Sequence, residues 1–200
     1  MRLTRRGAMA GAVIVLAAGW RPAAAQVAGQ RLRGRILAVE GETMRIAMRD
    51  GTELTVRLPG DVPVTALRRV PLVELVPGTR LGVVAEPFDD GLRAVAVTVL
   101  PASSTRDFQS GWDLTPSSSM NNGAVSAVVA RAEAHELALS INGRDIPVRI
   151  DDRTSVVEPI QAARSDLLPG AAVLVSANRG EGGFVAQRVT VEKNGVAPPT

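Results

Sequence analysis

Hydrophobic and polar residues alternate along most of the chain, and the alternation falls into short runs broken by turn-forming residues. Met44, Ile46 and Met48 alternate with Arg45, Ala47 and Arg49. After Asp50-Gly51, Leu54, Val56 and Leu58 alternate with Glu53, Thr55 and Arg57. A period of two places one set of side chains on a buried face and the other in water, so the pattern predicts a β-hairpin. Leu137, Leu139 and Ile141, the pair Asn142-Gly143, and Ile146, Val148 and Ile150 repeat the arrangement. Asn-Gly suits a tight turn because both residues tolerate positive φ.

The recurrence extends beyond the hairpins. Leu75-Val76-Pro77-Gly78 answers Leu167-Leu168-Pro169-Gly170 at an offset of 92. In the same register Gly91 answers Gly183, Ala94 answers Ala186, and Val97-Thr98-Val99 answers Val189-Thr190-Val191. The opening strands, Gly34 to Val39 and Gly123 to Val128, match at an offset of 89. Self-similarity at a fixed period marks a repeated structural unit. After its hairpin each unit has a less regular stretch (residues 60–76 and 151–168), then a Pro-Gly turn. A fourth strand (80–86; 172–177) and a fifth (92–100; 184–192) follow. Residues 158–168 could supply a short helix.

Five strands with an irregular or helical piece between the third and fourth is the plan of an OB-type barrel, whose closure removes exposed edges. The expected fold class is therefore all-β: two tandem five-stranded OB-like barrels. The boundaries are residues 31–101 for the first repeat, 102–122 for a linker, 123–193 for the second repeat and 194–200 for a tail. The opening Gly-x-Val/Ile strand, the Leu-x-Pro-Gly turn and the Ala-x-x-Val of the last strand carry a resemblance to a known family. It is an uncharacterised bacterial exported-protein domain family of about 70 residues, OB-like and often in tandem, and residues 31–101 and 123–193 resemble it. Similar proteins are sometimes labelled metal-transport components, and Trp112-Asp113-Leu114-Thr115-Pro116 looks like their linker.

The N-terminus changes the reading of charge. A basic start through Arg6, an apolar stretch at 7–19 and Ala23-Ala24-Ala25 before Gln26 have the order of a cleaved signal peptide, residues 1–25. The apolar stretch is shorter than the ~20 residues that cross a bilayer, so no transmembrane segment is expected in the mature chain. Thr4-Arg5-Arg6 partly matches a twin-arginine signal, but no bulky apolar residues follow it, which favours a Sec signal. The expected location is periplasmic or secreted. The formal charge of +3 includes four leader arginines among 23 basic residues; without them 19 bases face 20 acids. The mature chain loses its basic balance, and the strands carry almost no stacking aromatics, so no nucleic acid partner is expected. Cysteine is absent, which excludes disulfides, thiolate metal sites and cysteine nucleophiles.

Candidate chemistry is sparse. His135 has only Glu133 and Glu136 as neighbouring metal-ligand types, short of a zinc set, and no Gly-x-Ser-x-Gly elbow is present. Asp89-Asp90-Gly91 and Asp151-Asp152 fall at turns, where Asp caps the backbone. Met44 and Met48 share the apolar face with Ile46. The arginines Arg31, Arg33, Arg35, Arg45, Arg49 and Arg57 are matched by acids across the first unit. No catalytic, cofactor or metal residue is assigned. Phe108 and Trp112 are unusual in a Ser-, Thr-, Asn- and Pro-rich linker, and they are expected to pin it between the barrels or to touch a ligand. The composition and patterning favour an exported non-enzymatic binding or structural module of the bacterial cell envelope. Its partner would be an envelope protein or small ligand. The competing expectation is an accessory in metal or small-ligand handling with a site at the inter-barrel junction.

Overall fold

The computed structural model describes residues 29–130, 135–151, 154–180 and 182–199. The leader at 1–25, and with it the expected cleavage site, lies outside the described residues, as do Glu133 and Asp152. The chain is all-β. Its first strands are β1 (Gln30–Glu40), β2 (Thr43–Met48), β3 (Glu53–Arg57), β4 (Val64–Arg69), β5 (Arg80–Phe88) and β6 (Gly91–Val99). The later ones are β7 (Phe108–Gly111), β8 (Ser119–Ala130), β9 (His135–Ile141), β10 (Arg144–Ile150), β11 (Ser155–Gln161), β12 (Ala172–Gly180) and β13 (Gly183–Val191).

The alternating runs form the expected hairpins. Met44, Ile46, Val56 and Leu58 are fully buried, while Arg45 and Arg57 face water. The β9–β10 connection is the two-residue turn Asn142-Gly143, with φ of 52° and 78°. This pair of positive φ values matches the right-handed twist of the flanking strands. The β2–β3 connection takes one residue more: the Met48 N–H donates to Thr52 O across 49–51, and Gly51 has φ 83°. Both Leu-x-Pro-Gly turns carry Pro followed by Gly at φ of 90° or 85°, as a type II turn requires.

Closure follows a different grouping from the sequence repeats. β1, β2, β3, β13 and β12 pair in a ring: β1 with β2, β2 with β3, β3 parallel to β13, β13 with β12, and β12 back to β1. Residues from both repeats fill its core, among them Ile36, Met44, Ile46 and Val56 with Val173, Val175 and Val189. A second ring runs β8, β9, β10, β6, β5 and back to β8. Its core joins Leu81, Val83 and Val97 to Val125, Leu139 and Val148. Units 31–101 and 123–193, each expected to close on itself, instead give three strands to one ring and two to the other. We call the first ring the outer barrel and the second, built from 80–150 without interruption, the inner barrel. The inner barrel is inserted in the outer one between β3 and β12.

The segments expected to be irregular or helical explain the exchange. Residues 64–69 form β4 and 155–161 form β11; of the stretch 158–168 that could supply a short helix, only Arg164–Asp166 is helical, as a 3-10 turn. Ser155-Val156-Val157 favours extended backbone, and Pro159 disfavours the helical conformation at Glu158. β4 and β11 pair antiparallel with Leu67 opposite Pro159 at the centre. β4 also runs parallel to β13, and β11 parallel to β6. An extended connector carries the chain from one barrel to the other, where a helix would have folded it back. Because residues 67 and 159 differ by the offset of 92, the β4–β11 pairing maps onto itself when the two halves are exchanged.

Candidate functional site

The residues expected to form a linker are largely structured. β7 pairs with the first part of β8, Phe108 opposite Asn122 and Gly111 opposite Ser119. Residues 112–118 close the hairpin tightly: the Trp112 N–H donates to Ser118 O at 2.8 Å, and the Ser118 N–H to Thr115 O at 3.1 Å. Ser118 is buried, and its Oγ accepts from the Thr115 N–H at 3.0 Å. Thr115 Oγ1 donates to Glu86 Oε1 at 2.6 Å, which ties the loop to β5.

Two acidic residues clamp this segment. Asp107 Oδ2 accepts from the Asn142 N–H at 2.8 Å, and its Oδ1 lies 2.7 Å from Arg80 Nη2. The Asn142 N–H and the Arg80 guanidinium together hold the Asp107 carboxyl below the usual carboxylate range. Asp113, beyond the other end of β7, accepts a two-pronged contact from Arg33: Nη1 to Oδ2 at 3.1 Å and Nη2 to Oδ1 at 2.9 Å. Such fork-to-carboxylate pairs are geometrically specific as well as charged. Arg33 and, behind it, Arg31 hold the Asp113 carboxyl below its ordinary value. Arg31 stacks on the Trp112 ring, its Cζ 3.5 Å from the ring centre, a cation–π contact. Trp112 and Asp113 are thus held on β1 of the outer barrel, while the strand that precedes them belongs to the inner one.

Beneath β7 lies a fully buried polar side chain, Asn121. Its Nδ2 is within 3.2 Å of both Val83 O and Ser119 O, and Gln109 Nε2 donates to its Oδ1 at 2.7 Å. A buried amide costs free energy unless its polar atoms are paired, and here β7 supplies the partner for the oxygen. Neither Asn121 nor the Asp107–Arg80 pair was singled out from the sequence. The repeat offset of 89 sets Asn121 against Leu32, so a polar residue at a core position was the available signal.

The structure separates the two aromatics that the sequence placed together. Trp112 packs on Arg31; Phe108 starts β7 at its other end, half-buried, with Arg106 Cζ 5.9 Å from its ring centre. His135 is the first residue of β9 and lines an apolar surface groove of about 330 Å³ with Leu72, Val73, Val76 and Val128. No group of three or more metal-ligating side chains converges among the described residues. Asp151 is engaged by Arg149 at 3.0 Å and by Arg93 at 3.7 Å. Asp89 and Asp90 make the β5–β6 turn, Asp89 at φ 48°. Met44 is buried in the outer core. Arg35, Arg45 and Arg57 approach Glu192, Glu53 and Glu42 at 3.9, 3.8 and 4.0 Å.

An open cleft of about 300 Å³ lies beside the clamp, lined by Arg31, Arg33, Met48, Arg49, Asp50, Asp113 and Leu114. Its lining combines three arginines with two aspartates. Among the described residues no helix is long and apolar enough to cross a membrane. The chain matches no protein-family model, no curated protein and no solved structure.

Proposed function

We propose that the chain is an exported, non-enzymatic binding module of a bacterial cell envelope, with two OB-like barrels behind a leader at 1–25. The observation that carries the binding reading is the clamp itself: Arg31 and Arg33 hold an aromatic and a carboxylate of a neighbouring chain segment. A surface that captures Trp112 and Asp113 has the chemistry to capture polypeptide. The ring order, in which the third strand runs parallel to the last and the first pairs with the fourth, supports the OB-like reading. Order of basic, apolar and small residues in the leader supports export.

Fractionation of cells expressing the full chain tests the location: the protein should appear in the periplasm with Gln26 at or near its N-terminus. A pull-down from envelope extracts should return a partner that is reduced for Trp112→Ala. Retention of residues 1–25 in the cytoplasm would overturn the export reading, and no partner in any extract would overturn the binding one. The accessory reading, with a metal or small ligand at the junction, requires bound metal by native mass spectrometry or a melting shift with a metal or oligosaccharide.

A further inference from the structure

The two halves share one pattern of strand pairing, yet among the described residues one strand edge is covered by a further strand in only one of them. In the inner barrel the first part of β8 is paired on both sides, with β5 on one and β7 on the other. In the outer barrel the matching residues of β1, Gln30 to Arg33, pair with β12, and among the described residues no second strand pairs with them; β2 joins β1 from Gly34 onward. The Ile36 N–H donates to Ala171 O, and Ile36 O accepts from Gly170. Alternation along the strand then aims the backbone groups of Leu32 and Gly34 at β12 and those of Arg31 away from it. Met120, the counterpart of Arg31 at the offset of 89, lies opposite Ser110 of β7.

The 300 Å³ cleft described above lies beside this edge, where β2 ends at Met48 and the turn at Arg49-Asp50 leaves β1. Arg31 and Arg33 share the single carboxylate of Asp113, and Arg33 Nε is buried with no hydrogen-bond partner. We propose that the open edge of β1 receives an extended, carboxylate-bearing segment of a partner polypeptide, paired to Arg31 as β7 is paired to Met120. Exposed edges template strand addition: main-chain bonds supply affinity and alternate side chains supply selectivity. The proposal rests on the export reading in one respect. In the second half the covering strand is delivered by the chain just ahead of β8, through 112–118, whereas processing after Ala25 leaves only residues 26–29 ahead of β1.

The test uses the purified exported protein and a synthetic octapeptide alternating Asp with Val. Binding should slow amide exchange at Arg31 by at least about tenfold and leave Leu32 and Gly34, already facing β12, unchanged. A peptide N-methylated at alternate residues should not bind, because it cannot pair with the edge. Arg31→Pro, which removes the donor, should abolish binding, and Arg31→Glu should weaken it by about tenfold or more. The N-methylated arm needs no variant and decides the matter if Arg31→Pro fails to fold. Absence of binding at millimolar peptide, equal binding of the N-methylated peptide, or binding without protection at Arg31 overturns the proposal. N-terminal sequencing of the same preparation keeps the export reading separately testable. An envelope partner insensitive to Arg31→Glu would leave the binding reading standing and remove this edge from it.

Discussion

The outer and inner barrels share strand order, register and bulge positions, yet they solve one position in opposite ways. Where β1 buries Leu32, β8 buries Asn121; where β8 is covered by β7, no described strand pairs with the same part of β1 on that side. The two differences belong together. Asn121 is satisfied only because Gln109 of β7 reaches its oxygen, so a polar core residue is tolerated in the half that owns a covering strand. The apolar residue stands in the half that does not. Two matching strand patterns thus differ, among the described residues, in whether a further strand covers the edge.

The largest test of this comparison concerns the exchange itself. Proteolytic cleavage within 102–106 should leave both fragments together in gel filtration, because each barrel draws strands from both sides of the cut; one barrel per repeat would let them separate. Placing the polar residue in the uncovered half comes next. Leu32→Asn should cost about 3–5 kcal/mol in denaturant unfolding, through lost apolar burial and an unpaired amide. Asn121→Ala should cost about 1–3 kcal/mol, and a smaller penalty for Leu32→Asn than for Asn121→Ala would break the argument. The close approaches should behave alike in the two barrels. A Cβ at Gly34 would lie 2.2 Å from Ala47 O, and one at Gly123 would lie 2.4 Å from Ser140 O. Either glycine-to-alanine change should therefore destabilise by about 1–3 kcal/mol through backbone displacement, read as a fall in melting temperature.

The smallest effect belongs to the Asp107 clamp, which has no counterpart on β1. Its carboxyl is held below the usual range by the Asn142 N–H and Arg80. The folded state therefore binds a proton less readily than the unfolded one. The stabilisation is fully present above the ordinary carboxylate pKa of about 3.9, and it is lost as pH falls through the lower folded value. Asp107→Asn, which keeps an acceptor for Asn142, should flatten the acid limb of the stability curve and leave a smaller margin at neutral pH. An unchanged acid limb would deny the clamp its charge.

Hairpins, Pro-Gly turns and strand-forming runs were legible because they depend on residues near in sequence. The grouping of strands was not. Gly78 and Gly170 sit in turns of the expected kind, but their N–H groups donate to Val125 and Ile36 of the opposite repeat. The local signal is identical whichever copy supplies the partner. What decides is the extended path of β4 and β11, in stretches expected from the sequence to be irregular or helical. The candidate site was half legible: Trp112 and Phe108 marked the linker as packed, while its closure on Arg33 and Asn142 depends on contacts far apart in the chain.

The insertion of one barrel within the other also sets an order in time. Every strand of the inner barrel lies within 80–150, so that ring can close as soon as this stretch of chain is free to fold. β1 must wait for β12, with Gln30 meeting Ala177, and loop closure over that separation is entropically the more costly. Through that interval the apolar faces of β1 to β3, with Ile36, Met44, Ile46 and Val56, stay uncovered by the strands that bury them in the closed ring.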